Sequence, residues 1–228
     1  MTYFVDEFNK HFSIYEAKTD KLKEECFKIR YEVYCREKGW EKPLHPEVLV
    51  ERDEYDPFSI HYLIKSNWFN IPVATSRLIL SKNILLPVEK EFILDDLGVN
   101  REYFGELSRV CIISGLNNFI VEEAKEQVQH ISTFLMACSF RSCLENNIHY
   151  GIGITKKSIM RQVKGKGIIW HQIGEPKEYH GLRLPCKIEI GTALNEIERL
   201  NKETYNIFMD TISAKIDEST CKLLINKG

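Results

Sequence analysis

Glu106, Ser108 and Arg109 stand together in E-L-S-R, and a carboxylate, a hydroxyl and a guanidinium so close in sequence can move a proton and hold an anion. Upstream, R-Y-E-V-Y-C-R-E-K-G-W places Arg30, Tyr34 and Trp40 on one segment; E-R-D-E-Y-D carries Asp53 and Asp56, and V-A-T-S-R-L-I-L carries Arg77. Arginines in apolar, element-forming segments are rarely kept inside a domain unless carboxylates or a ligand neutralise them. Arg30, Arg77 and Arg109 against Asp53, Asp56 and Glu106 form a balanced set that could orient a zwitterionic substrate; the plainer alternative is an assortment of unrelated ion pairs. Glu106 is the candidate to accept a proton from an amine nucleophile, and its alternative role is an ion pair with Arg109 or Arg77. Tyr34 and Trp40 could line an acceptor pocket or serve as plain core. Lys157, Arg161 and Lys164, within helical reach of one another, form either a docking patch for an acidic carrier domain or a solvated face.

Other chemistries find no support. His61, His171 and His180 have no H-E-x-x-H and no His/Cys spacing around them, so no metal site is expected, and no nucleophile elbow marks a hydrolase. Neither a P-loop nor a G-x-G-x-x-G follows a strand, which leaves nucleotide phosphates without a cradle. A net charge of −2, from 31 basic and 33 acidic residues, supplies no global field for nucleic acid. The seven cysteines form no C-x-x-C pair and suit a reducing compartment. Met1 to Phe12 lacks the apolar core of a signal peptide, and no run approaches membrane-spanning length, so a cytoplasmic protein is expected.

The elements that must position these residues are readable from periodicity. Leu22, Cys26, Ile29 and Val33 predict a helix over Leu22 to Lys38, with Thr19 or Asp20 as N-cap and Gly39 ending it, so that Arg30 and Tyr34 share a face. Glu41 to Pro57, holding Pro43, Pro46 and Pro57, reads as a loop. Ile60 to Lys65 and Val73 to Ser81 read as a hairpin, and Glu106 to Ile113 as a further strand. Strict alternation sends Arg109 to the face opposite Glu106, unless a bulge intervenes. A long helix over Val121 to Glu145, a strand over Ile148 to Ile154, a helix over Ser158 to Lys164, strands over Ile168 to Ile173 and Cys186 to Ile190, and a helical tail complete an α/β pattern.

In this order and spacing the arginine, aromatic and tryptophan of residues 30, 34 and 40, the aspartates 53 and 56, Arg77 and the E-x-S-R strand resemble the acyl-homoserine-lactone (autoinducer) synthase branch of the GCN5-related N-acyltransferases. The segment G-I-I-W-H-Q-I-G-E-P-K-E-Y-H-G-L-R-L-P resembles more closely a sister branch, the N-acyl amino acid synthases and exosortase-associated acyltransferases. The resemblance implies a mixed, mostly antiparallel sheet flanked by helices, with splayed strands forming an acyl cleft. It implies an acyltransferase domain over residues 1–190 and a helical extension over 191–228 packed on it. It also implies that an acyl carrier protein thioester, with acyl-coenzyme A as the lesser alternative, donates a fatty acyl chain to an amino acid or similar amine, without a resident cofactor. Glu106 would be the base, Ser108 and Arg109 would fix it, Arg30, Tyr34 and Trp40 would form a mobile lid, and Asp53, Asp56 and Arg77 would tie that lid to the sheet. The fold's usual coenzyme A loop would follow Val110, where C-I-I-S-G-L-N-N-F has one glycine and no basic residue, and this favours the carrier protein. A synthase acting on S-adenosylmethionine and a non-catalytic acyl-binding module are the alternatives.

Overall fold

Ile71–Leu80 is buried along nearly its whole length, as a strand covered on both faces must be, and it forms the middle of the sheet. The computed structural model describes residues 3–43, 47–81 and 84–225; Pro46 of the expected loop lies outside them. Helix α1 (Tyr3–His11) leads into β1 (Phe12–Glu16), and α2 (Asp20–Arg30) continues as a π-helical stretch, Tyr31–Glu37. Thr19 caps α2 by accepting from Leu22 N–H, and Gly39 follows with φ +62. The hairpin is β2 (Ser59–Ser66) and β3 (Ile71–Leu80); a short α3 (Pro87–Glu91) precedes β4 (Phe104–Ile112).

The expected helix over Val121 to Glu145 is broken into α4 (Lys125–Val128) and α5 (Ile131–Glu145). At the break Lys166 Nζ donates to the Gln129 carbonyl at 3.0 Å, a tertiary partner that helical periodicity does not reveal. After β5 (Tyr150–Thr155) and α6 (Lys157–Lys164), the strand expected over Ile168 to Ile173 shrinks to β6 (His171–Gln172). Strands β7 (Lys177–Glu178) and β8 (Leu182–Glu189) follow; β8 runs through Pro185, whose carbonyl accepts from Ile173 N–H at 3.0 Å. Beyond it the tail is not helical throughout. Helices α7 (Ile190–Leu200) and α8 (Lys202–Ile212) give way to β9 (Lys215–Asp217) and β10 (Lys222–Leu224), which extend the sheet beside β1.

The sheet order is β6-β8-β5-β4-β3-β2-β1-β10-β9, with β7 paired to β8. Every pairing is antiparallel except β4 with β5. Helix α5 is apolar on most of its circumference, as a helix must be when it is covered on several sides. Phe134 stacks on Phe8 of α1 at 3.9 Å, Phe140 meets Phe208 of α8 edge-on at 5.0 Å, and the Tyr62 hydroxyl of β2 lies 2.9 Å from Ser142 Oγ. Arg141 donates to the Thr211 and Ile212 carbonyls, both at 3.3 Å, and so satisfies the end of α8.

Two irregularities shape the centre. Thr75 pairs with Cys111 but Arg77 with Ser108, so β4 carries one extra residue there, and Arg109 takes φ +51. Strict alternation is therefore broken at Arg109. The parallel β4–β5 ladder ends at Glu106 opposite Ile152, although both strands continue, and a cleft opens between Leu107–Val110 and Gly153–Lys156. Gly153 stands at the point of divergence, where an added Cβ would lie 2.8 Å from the Leu107 carbonyl oxygen. Gly153→Ala is expected to force the strands apart and to lower stability by about 1–3 kcal/mol, read from the urea midpoint.

Candidate active site

The three arginines of the expected set converge. Arg30, wholly buried at the end of α2, donates through Nε to Glu51 and through both Nη atoms to Asp56, at 2.6 and 3.2 Å. Arg77 reaches down from β3 to Asp53 and to the same Asp56 oxygen, at 2.7 Å for the latter, and its Nε donates to Ser108 Oγ at 3.1 Å. The bulge turns Arg109 to this side, where its Nη2 meets Glu51 at 3.0 Å, Asp53 at 3.2 Å and Glu41 at 3.3 Å. The 51–56 loop is thereby pinned to α2, β3 and β4 at once.

Electrostatics follow from the pairing. Burial opposes the ionised form of Asp56, but Arg30 and Arg77 outweigh it and hold the carboxyl down at about 2. Glu51 and Asp53 are likewise lowered against burial, by Arg30 with Arg109 and by Arg77 respectively. His61 is packed against Asp56 yet lowered to about 4, because burial beside two guanidiniums outweighs the aspartate, and it stays neutral.

Glu106 has a different environment. No ion pair reaches it among the described residues; one carboxyl oxygen accepts the Val88 N–H of α3 at 2.8 Å. It is only 2% exposed, and burial pushes it up to about 8, against the weaker pull of Val88, Arg77 and Arg109. The expected support from Ser108 and Arg109 is therefore corrected: Ser108 serves Arg77, and Arg109 is occupied by acids of the loop. The third negative partner of the arginines is Glu51, not Glu106. That much was readable in principle, since three arginines facing two aspartates leave one cation over and Glu51 lies two residues from Asp53.

A cavity of about 480 Å³ fills the cleft between β4 and β5. Glu106, Ser108, Arg109, Tyr34 and Trp40 line it; Leu107, Met136, Ile154, Met160, Val163 and Ile168 make much of its wall apolar. Arg30, Asp53, Asp56 and Arg77, expected to bind substrate or tether a mobile lid, are not among its lining residues; the two arginines are buried and the two aspartates partly so. Tyr34 donates to the Val110 carbonyl at 3.2 Å, and Trp40, partly exposed, stands at the mouth, stacked on His180 with ring centroids 5.8 Å apart. Helix α6 lines the cavity with Met160 and Val163, and with the exposed Ile159 at its rim, and leaves Lys157, Arg161 and Lys164 in solvent. Val88, Tyr179, His180 and Arg183 also belong to the site and escape sequence reasoning, because only the packing of α3 and of the β7–β8 turn brings them there.

A mostly antiparallel sheet with one parallel pair splayed around a cavity defines the GCN5-related N-acyltransferase fold. Residues 29–119, which hold every member of the buried cluster and Glu106, match the acetyltransferase (GNAT) domain family. Among solved structures, TofI in a ternary complex with an inhibitor and MTA aligns with TM-score 0.63 at 21% identity, over 85% of this chain and 99% of that one. BjaI, a CoA-dependent acyl-homoserine lactone synthase solved with SAM and isopentyl-CoA, aligns with TM-score 0.61 at 17% identity, over 89% of both chains. FeeM, an N-acyl amino acid synthase from uncultured soil microbes, aligns with TM-score 0.56 at 12% identity, over 83% of this chain and 98% of that one. At these identities the shared property is the fold, and the neighbours fall in the branches that the sequence resembles. No curated protein sequence matches the chain.

Removing one member of the cluster strands its partners in the interior. Arg30→Met is expected to cost about 3–5 kcal/mol in chemical denaturation, since Glu51 and Asp56 lose their principal cation. Asp56, depressed when folded, contributes stability above its unfolded value of 3.8, and wild type is expected to lose that contribution as pH falls toward about 2.

Proposed function

We propose that the chain is an N-acyltransferase that moves a fatty acyl group from an acyl carrier protein thioester to the amino group of an amino acid or similar amine. The observation that carries this reading is Glu106: a carboxyl without a cation, raised to about 8, opening into an apolar cleft between splayed strands. The acyl tail occupies the apolar cleft with its thioester carbonyl near β4. The amine nitrogen attacks that carbonyl carbon, the new C–N bond forms, and Glu106, directly or through a water, takes the proton that nitrogen loses. The C–S bond then breaks, and the carrier thiolate leaves and is protonated. Backbone N–H groups on the stretch of β4 that β5 leaves uncovered beyond Glu106 are placed to hold the oxyanion.

The end of β4 bears on the choice of donor. Ser114 gives its N–H to Glu37 at 2.9 Å and its hydroxyl to the same carboxylate, so an acid occupies the turn where the fold's coenzyme A loop would cradle a pyrophosphate. A negative charge at that turn repels a diphosphate. The exposed cations of α6, a helix that also lines the cavity, supply the complementary surface for an acidic carrier protein.

Incubation with dodecanoyl-acyl carrier protein and a panel of amino acids, simple amines and S-adenosylmethionine tests the reading; absence of acyl transfer to any of them overturns it. Glu106→Gln is expected to fold and to lose turnover, and near-wild-type transfer by it removes Glu106 from the mechanism. Because the base is the ionised form, wild-type kcat/KM is expected to rise with pH and to level off above about 8. Lys157→Glu with Arg161→Glu and Lys164→Glu is expected to raise KM for the carrier-bound donor about tenfold or more at low salt and to leave a dodecanoyl-pantetheine donor unaffected.

A further inference from the structure

Arg183 of β8 is 8% exposed, and its Nη1 is enclosed without a hydrogen-bond partner. No hydrogen bond or ion pair among the described residues reaches its guanidinium. Its Cζ lies 5.0 Å from the centroid of the Trp40 ring, which stacks on His180, and it lines the same cavity as Glu106. Arg30, Arg77 and Arg109 differ from it in kind, because each is matched by carboxylates of the 41–56 stretch and those carboxylates are already engaged. Burying a cation without an anion is costly, and an indole face offsets only part of that cost. The backbone invests in the arrangement as well: His180 and Gly181, in the turn that delivers Arg183, both take positive φ, +53 and +88.

We infer that Arg183, backed by Trp40, binds a carboxylate of the acceptor, which makes the acceptor an amino acid rather than a simple amine. The inference rests on the acyl transfer proposed above and narrows it. A guanidinium presents a planar fork that pairs with a carboxylate through two parallel hydrogen bonds. A ligand carboxylate would complete the charge balance that the protein leaves open at this one buried arginine. The other source of an anion in the reaction is the phosphodiester of the carrier's arm, and the choice of donor separates the two.

The experiment compares wild type with Arg183→Met and Arg183→Lys. Each is offered several amino acids and their decarboxylated amines, with either dodecanoyl-acyl carrier protein or dodecanoyl-pantetheine, which lacks the phosphate. For amino acids the methionine variant is expected to raise KM about ten- to a hundredfold with kcat little changed, equally for both donors, and to leave the amines unaffected. The lysine variant, which keeps the charge and loses the fork, is expected to fall between, and it carries the comparison if the methionine variant does not fold. Equal losses for amino acids and amines, a loss confined to the phosphate-bearing donor, or no loss at all overturns the assignment. Calorimetric binding of N-dodecanoyl amino acids against N-dodecanoyl amines supplies a reading independent of turnover. An Arg183-dependent preference for the acid in a chain that transfers nothing keeps the carboxylate site and removes the reaction; turnover without that preference does the reverse.

Discussion

Mutual neutralisation of Arg30, Arg77 and Arg109 by Glu51, Asp53 and Asp56 is the interaction on which the rest of the site depends. Each ion alone would be expelled from the interior, and each pair gains little over an apolar substitute of the same shape. The set therefore acts less as a source of stability than as a device for register. It is satisfied only when α2, the acidic loop, β3 and the bulged β4 are all in place, and any slip of one leaves a charge stranded. The bulge at Arg109 is part of the same constraint, because without it the third guanidinium would point to the other face of the sheet.

The cleft is built on that rigid layer by withholding the same compensation. Glu106 stands two residues from Ser108, which Arg77 engages, yet it receives one backbone N–H and no cation. Burial then raises it to about 8, while burial beside two arginines leaves Asp56 at about 2. Two carboxyls that both feel Arg77 are driven in opposite directions by what each can touch. The divergence of β4 from β5 immediately after Glu106 opens the cavity beside this raised carboxyl. Arg183, which lines the same cavity, is the converse case, a buried cation without an acid among the described residues.

Local signals carried much of the fold. The capped helix stopping before Gly39 and the hairpin of β2 and β3 follow from side-chain chemistry within a few residues, whereas alternation alone leaves the bulge at Arg109 open. The misreadings share one cause. Lys166 at the break before α5, Pro185 inside β8 and the β9–β10 hairpin that joins β1 are all settled by partners distant in the chain. Periodicity has no view of such partners.

The sequence by itself determined which residue types would meet: arginines in apolar segments demand acids, and E-R-D-E-Y-D is a nearby supply of them. It also determined the order of elements, since strand and helix periods are written locally. Only the tertiary structure decided the division of labour among them. It placed Arg30, Asp53, Asp56 and Arg77 outside the cavity lining, brought Glu51 into the pairing in place of Glu106, and set Arg183 beside Trp40. The reason is that charge attraction specifies a complementary partner but not which one. Burial and distance, which exist only after the chain has closed on itself, make that choice.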